Sequence, residues 1–183
     1  MRIISGQFRG KKINAPSNLP VRPTTDFAKE ALFNVLNNHY DFDEISILDL
    51  FSGIGSISLE FASRGSKRIV SVDQDAGCVK FLSEMIQSMN LGEVNSIVRN
   101  DVFQFLNRNS FGNFEVIFAD PPFVFEQTDY DKIIQLVKEN DWLKPEGELV
   151  LEHSSHIQFD EHPHLLQTRK YGNVHFSFFD FES

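Results

Sequence analysis

Cysteine is nearly missing from this 183-residue chain: Cys78 stands alone, so no intramolecular disulfide can form. Long apolar runs are missing as well. No stretch reaches the 18 or more apolar residues of a membrane-crossing helix, so no membrane association is expected. The opening residues show no apolar stretch ending in a small-residue cleavage site, which predicts a cytoplasmic protein. Metal-ligand spacing is lacking too: His162 and His164 flank a proline without a cysteine or acidic cluster at ligand spacing, and no metal is expected. Internal repeats, low-complexity tracts and long linkers are absent. The expectation is one monomeric domain over residues 1–183.

Aromatic residues are plentiful, with 19 Phe in a chain that is 41% hydrophobic, enough for a substantial core. Charge is unevenly placed. Residues 1–22 hold Arg2, Arg9, Lys11, Lys12 and Arg22 and no acid, giving +5, while the rest of the chain carries −14 of the total −9. A polyanion is repelled at long range by that total, so nucleic-acid contact falls to a basic arm on an acidic body. A solvated arm with chance charge is the alternative.

Residues 1–22 read as this basic arm, a β-hairpin followed by a connector, and residues 23–183 as the catalytic core. Arg2–Ile4 and Lys11–Ile13 form the hairpin strands, with Gly6 and Gly10 as turn residues, and three prolines extend Asn14–Pro23. A helix is expected after Thr24-Thr25, with Phe27, Ala31, Leu32, Val35 and Leu36 at helical spacing. From Ser46 strands and helices alternate: strands Ser46–Leu50, Arg68–Val72, Asn95–Arg99, Phe114–Ala119 and Glu148–His153, separated by helices Ser56–Arg64, Ala76–Asn90, Val102–Asn107 and Asp129–Asn140. A Pro145-Glu146-Gly147 turn precedes the fifth strand. The tail reads as strands Leu165–Tyr171 and Val174–Phe181 about a Gly172-Asn173 turn. Such alternation predicts an α/β protein whose mostly parallel, seven-stranded sheet ends in an antiparallel strand at the C-terminal edge.

Open sheets of this kind bind ligands beyond the carboxyl ends of their strands. The first such turn holds Asp49, Phe51, Gly53 and Gly55, the glycines allowing close backbone approach. Ser58 replaces the third glycine of a dinucleotide fingerprint, which argues against a pyrophosphate. Asp49 suits a positively charged ligand instead, and S-adenosylmethionine carries an ammonium and a sulfonium. Asp73 ends the second strand, where a carboxylate accepts from ribose hydroxyls. Asp101 is placed either to accept from an adenine amino group or to cap the helix at Val102. Asp75 is likewise a ligand contact or a cap.

The most informative segment is Asp120-Pro121-Pro122-Phe123 after the fourth strand. Two prolines fix the backbone, so an acid and an aromatic project from a rigid loop. An exocyclic amine is a poor nucleophile because its lone pair is delocalised. Acceptance of its two N–H groups by the Asp120 carboxylate and the Pro121 carbonyl aims that lone pair at a methyl donor. Phe123 offers a face for a flipped base. Glu152, at the end of the fifth strand, is a supporting residue or strand-end packing.

With these segments, the chain resembles the bacterial 16S rRNA guanine-N2 methyltransferases of the RsmD family. The resemblance runs through Arg2–Gly6, Arg9–Lys12, Arg22–Asp26, Glu30–Asn34, Asp49–Gly55, Ser63–Gly65, Asp120–Phe123 and Tyr171-Gly172. It implies a Rossmann-like class I methyltransferase fold and methylation of guanine-966 in 16S rRNA or the assembling small ribosomal subunit, with S-adenosylmethionine converted to S-adenosylhomocysteine. It further implies that Arg22 and Thr24 lie against the cofactor and that the hairpin grips RNA through Arg2, Arg9, Lys11 and Lys12. The Asp-Pro-Pro-aromatic motif by itself also fits amino-methylation of DNA adenine or cytosine, or of a protein glutamine.

Overall fold

Five runs of branched and aromatic residues form the parallel body of one sheet in the computed structural model, which describes residues 1–21, 24–108 and 110–182. They are β1 (Ser46–Leu50), β2 (Arg68–Asp73), β3 (Asn95–Arg99), β4 (Phe114–Ala119) and β5 (Leu143–His153). With β6 (Leu165–Tyr171) and β7 (Val174–Phe179) the sheet order is β3-β2-β1-β4-β5-β7-β6. Residues alternate between two apolar layers. Ile47, Ile69, Val116, Phe118 and Val150 join the cluster beneath α1 (Asp26–Leu36), α2 (Ser56–Ser63) and α3 (Ala76–Ser88). Leu48, Val70, Ile117, Ala119 and Leu149 join the one beneath α4 (Val102–Leu106) and α5 (Gln127–Glu139). Period-two alternation with both faces buried is what a helix-covered parallel sheet requires. No helix among the described residues is long and apolar enough to cross a membrane.

The helix starts follow local capping chemistry. Thr25 accepts from the Ala28 amide at α1, Asp75 from Cys78 at α3 and Asp101 from Gln104 at α4. A reciprocal Glu126–Asp129 box starts α5 at Gln127, slightly ahead of the expected Asp129.

Three expectations are corrected. The antiparallel strand β7 does not lie at the edge: it pairs with both β5 and β6. Phe176, Phe178 and Phe179 bury both faces of β7, whereas β6, with exposed Arg169 and Lys170, takes the solvent edge. The Pro145-Glu146-Gly147 segment is a bulge inside β5 rather than a turn before it, with Glu146 at φ 60° and a register shift opposite Phe114/Val116.

The N-terminal β-hairpin is the third. No regular strand forms there, and Arg2 and Lys12 make one isolated antiparallel bridge. A short ladder links Met1–Ile3 to Gly10–Ile13, with Ile3 donating to the Lys11 carbonyl and Ile13 to the Met1 carbonyl at 3.0 Å each, but the amides that follow Ile3 are drawn to α2. Ile4 and Ser5 donate to the Glu60 carboxylate at 2.9 and 3.0 Å, Gln7 to the Ser63 carbonyl at 2.7 Å and Phe8 to the Ser63 hydroxyl at 2.9 Å. Gly6 passes so close that a Cβ there would lie 1.9 Å from the Ser63 carbonyl oxygen.

Glu60 is the hub of this docking. It is fully buried, as is Lys29, whose Nζ lies 3.4 Å away and donates to the Arg2 carbonyl at 2.7 Å. Arg64 adds its Nε as a further donor to Glu60 at 3.0 Å and lies over the Phe33 ring. Removal of one partner from a buried ion pair costs about 3–5 kcal/mol, because the other charge is left uncompensated. Glu60→Ala, which strands Lys29 and two amides together, is expected to cost that full amount in urea unfolding. Lys29→Met is expected to cost less, since Glu60 keeps Arg64 and both amides. A larger loss from Lys29→Met would contradict the hub assignment.

Candidate active site

Strand order reverses between β1 and β4, and the chain leaves their carboxyl ends in opposite directions. A cleft of about 1560 Å³ opens there, larger than the few hundred to one thousand Å³ of ordinary small-ligand pockets. Thr24, Asp49, Phe51, Gly53, Asp73, Asp101, Asp120, Pro121 and Phe123 all line it. Gly55 does not. A Cβ at Gly55 would fall 2.3 Å from a Leu82 methyl of α3, and its φ is +82°. Helix packing and a left-handed turn therefore favour that glycine by themselves. Arg22 lies outside the described residues.

The loop after β1 is held by the strand beside it. Ser52 donates to the Val72 carbonyl at 3.0 Å and Gly53 to Asp73 at 2.8 Å. These bonds hold Phe51 at φ +59°, a conformation that costs a bulky residue of order 1–3 kcal/mol. Its ring then packs edge-on against Phe125 at 5.5 Å, which stacks on Phe103 at 5.7 Å, an aromatic wall along one side of the cleft. Asp73 receives one backbone amide on each oxygen, from Gly53 and from Asp75 at 2.8 Å. Each oxygen keeps further accepting capacity. Asp101 and Asp75 serve as helix caps, so the cap alternative describes what both carboxylates do in the fold.

Three carboxyl groups gather at the strand ends. Asp49 is fully buried, accepts from the Ser58 amide at 3.1 Å and from its hydroxyl, and is pushed up to about 7 by burial. Ser58 continues through Ser71 to Asn95, a buried polar string beneath α2. The serine that removed the dinucleotide fingerprint is thus the partner of Asp49. Glu152 accepts from the Thr24 hydroxyl at 2.9 Å and burial raises it to about 7. Asp120 is raised well above the ordinary carboxylate range, first by burial and then by Glu152 and Asp49. Among the described residues nothing hydrogen-bonds to the Asp120 carboxylate, and no cation pairs with any of the three.

The proline motif forms a turn closed by the Phe125 amide on the Pro122 carbonyl at 2.9 Å. Pro121 is buried, while Phe123 at the tip is 87% exposed. Sequence reasoning gave Glu152 only a supporting place and did not mark Phe103, Phe125 or Tyr130. The available signal for Glu152 was its position one residue past the apolar Leu149–Leu151 run. Of the basic arm, the connector residues Leu19, Pro20 and Val21 line the cleft, while Arg2, Arg9, Lys11 and Lys12 do not. Arg9, Lys11 and Lys12 are exposed, and Arg2 pairs with Asp26 at 2.8 Å. Arg2 and Lys12 sit near the cleft end of α2. Arg9 lies near Ser63 at its far end, roughly 10 Å away along the helix.

The family model described as Conserved hypothetical protein 95 matches residues 1–180. A Haemophilus influenzae relative, named Ribosomal RNA small subunit methyltransferase D, is 33% identical over 154 residues, covering 83% of this chain and 78% of that one. The solved structure of the Thermus thermophilus hypothetical protein TTHA0928 aligns with a TM-score of 0.83 at 26% identity, over 99% of both chains. The fold alone is shared with the T. thermophilus 16S rRNA N2 G1207 methyltransferase, solved with AdoMet and guanosine: TM-score 0.71, 20% identity, 90% of this chain and 45% of that one. With the acid-edged cleft at the β1–β4 reversal and a family model matching almost end to end, this chain belongs to the Conserved hypothetical protein 95 family, the RsmD-type S-adenosylmethionine-dependent methyltransferases.

Proposed function

We propose that this protein transfers a methyl group from S-adenosylmethionine to the exocyclic N2 of guanine-966 in 16S rRNA of the small ribosomal subunit. The observation that carries the reading is the Asp120 carboxylate, held in the cleft without a hydrogen-bond partner among the described residues, next to a proline-fixed carbonyl and an exposed ring. The donor set fits the cofactor. Carboxyl groups at Asp49, Asp120 and Glu152, without a paired cation among the described residues, favour a positively charged ligand and disfavour a phosphate. Asp73 retains accepting capacity for ribose hydroxyls, and Thr24, Phe51 and Gly53 border the same space. Asp101, beside them, accepts from the adenine amino group with the capacity its cap leaves.

When bound, the cofactor supplies a methyl group activated by a positive sulfur. The rest is done by this chain's own residues. Asp120 and the Pro121 carbonyl accept the two N–H groups of the amine and direct its lone pair. As the N–C bond forms and the C–S bond breaks, positive charge grows on nitrogen beside Asp120, which stabilises it. The nitrogen then gives up one proton, and the raised affinity of Asp120 for protons makes it the acceptor. Phe123 stacks on the flipped guanine, worth roughly 1–3 kcal/mol in single-strand sites.

Asp120→Ala is expected to lower kcat on 16S rRNA by about 10²–10³-fold, as loss of one preorganised charge-stabilising group does. RNA and cofactor affinities stay near wild type. Full activity in that variant would remove Asp120 from the chemistry and the reading with it.

The raised carboxyls predict a pH dependence with a definite sign. Asp49 and Glu152, both about 7, are about half protonated near neutrality, and a cation binds their ionised forms more tightly. Cofactor affinity by calorimetry is therefore expected to rise with pH, by up to about tenfold per unit for each group below 7, and to level off above it. Asp49→Asn should make the rise shallower; an unaltered slope would show that Asp49 does not couple to the ligand. The unliganded fold behaves oppositely. The raised pKa contribution is complete below the ordinary values of 3.8 and 4.5 and is lost as pH rises through about 7.

The arm supplies phosphate contacts through Arg2, Arg9, Lys11 and Lys12. One phosphate each gives a slope of log affinity against log salt of about −3 on single-stranded RNA. Charge reversal of Arg9, Lys11 and Lys12 should abolish RNA methylation, and unchanged activity would release the arm from that role.

A further inference from the structure

One aromatic side chain of α1 does not follow the burial pattern of its helix. Ala28, Leu32, Phe33 and Leu36 are buried, whereas Phe27, at helical spacing with the core-facing set, is 69% exposed. Its ring meets Tyr171 edge-on, with centroids 6.1 Å apart. Tyr171 in turn packs on buried Phe176 at 6.0 Å. One ring of the pair is thus anchored to the core while the other presents itself to solvent.

The pair stands at the rim of the active-site cleft. Thr24 and Thr25, just before Phe27, line the cleft, and so do Asn173 and Val174, which follow Tyr171 across the Gly172 turn. Cations surround it. Arg2 pairs with Asp26, the neighbour of Phe27, and Lys12 bridges to Arg2. Arg169 lies two residues before Tyr171, hence on the same face of β6, and is exposed without a carboxylate partner among the described residues. Exposed Glu30, one turn further along α1, bounds the patch on its far side.

We propose that Phe27, backed by Tyr171, is a second nucleobase subsite, on which a nucleotide adjacent to the methylated guanine stacks. This rests on the RNA reading above. A base drawn out of its stack leaves the face of its neighbour uncovered, and an aromatic ring at the cleft rim restores that contact without reading sequence. Arg2, Lys12 and Arg169 then meet the phosphates on either side, which matches an aromatic platform flanked by positive charge to a single strand. Phe123 holds the reacting base; Phe27 holds the next one.

The test uses the full-length protein and a single-stranded RNA oligonucleotide containing the target guanine and its neighbours. Phe27→Ala is expected to raise Kd and KM for this RNA by about 5- to 150-fold, the span of base–aromatic stacking, while cofactor affinity and kcat hold. An RNA made abasic on one side of the target should weaken binding to wild type similarly, and the two changes should not add. Phe27→Trp should restore affinity and show fluorescence quenching on RNA binding. Unchanged Kd and KM in Phe27→Ala, with an active wild-type enzyme, would overturn the subsite and leave the RNA reading standing. No binding or methylation of any RNA by wild type, or methylation of a protein amide alone, would overturn both.

Discussion

The carboxyl edge of the parallel sheet gathers buried carboxyl groups that no cation among the described residues neutralises. Asp49, Asp120 and Glu152 converge where the strand order reverses, and none has a cation partner among the described residues. Burial holds their protons on toward neutrality, and at Asp120 repulsion from Glu152 and Asp49 adds to it. Such an arrangement costs stability in the empty protein and is relieved by a positive ligand. In the proposed function the same feature favours the cationic cofactor over a pyrophosphate and makes Asp120 the proton acceptor.

Positive charge is kept on the other side of α2. Lys29 and Arg64 are committed to Glu60, which also fixes the amides of Ile4 and Ser5. Lys29 reaches Ser56 at 3.4 Å, the residue that opens α2 at the cleft. One buried ion pair thus ties the basic arm to the helix that follows the glycine loop. That explains how an acidic protein presents the cations of its arm close to the cleft.

Much of this was legible in the sequence because it is written in local chemistry. Caps at Thr25, Asp75 and Asp101 and the apolar runs of the five parallel strands placed their elements within a few residues. The clustering of Asp49, Asp73 and Asp120 followed from strand order alone. What escaped depended on tertiary partners. The arm looked like a hairpin because its alternation is right, but Glu60 and Ser63 compete for its amides. The Pro145–Gly147 segment looked like a turn, yet pairing with β4 continues past it as a bulge. Phe27 fitted the core stripe by spacing and lies outside it. At Gly55 the close packing of Leu82 was not legible either.

The most direct test of the central claim is methyl transfer from labelled S-adenosylmethionine to small ribosomal subunits lacking the modification, with the product nucleoside identified by mass. The account predicts N2-methylguanosine at one position, guanine-966. Label appearing on DNA or on a protein glutamine, with none on RNA, would contradict it.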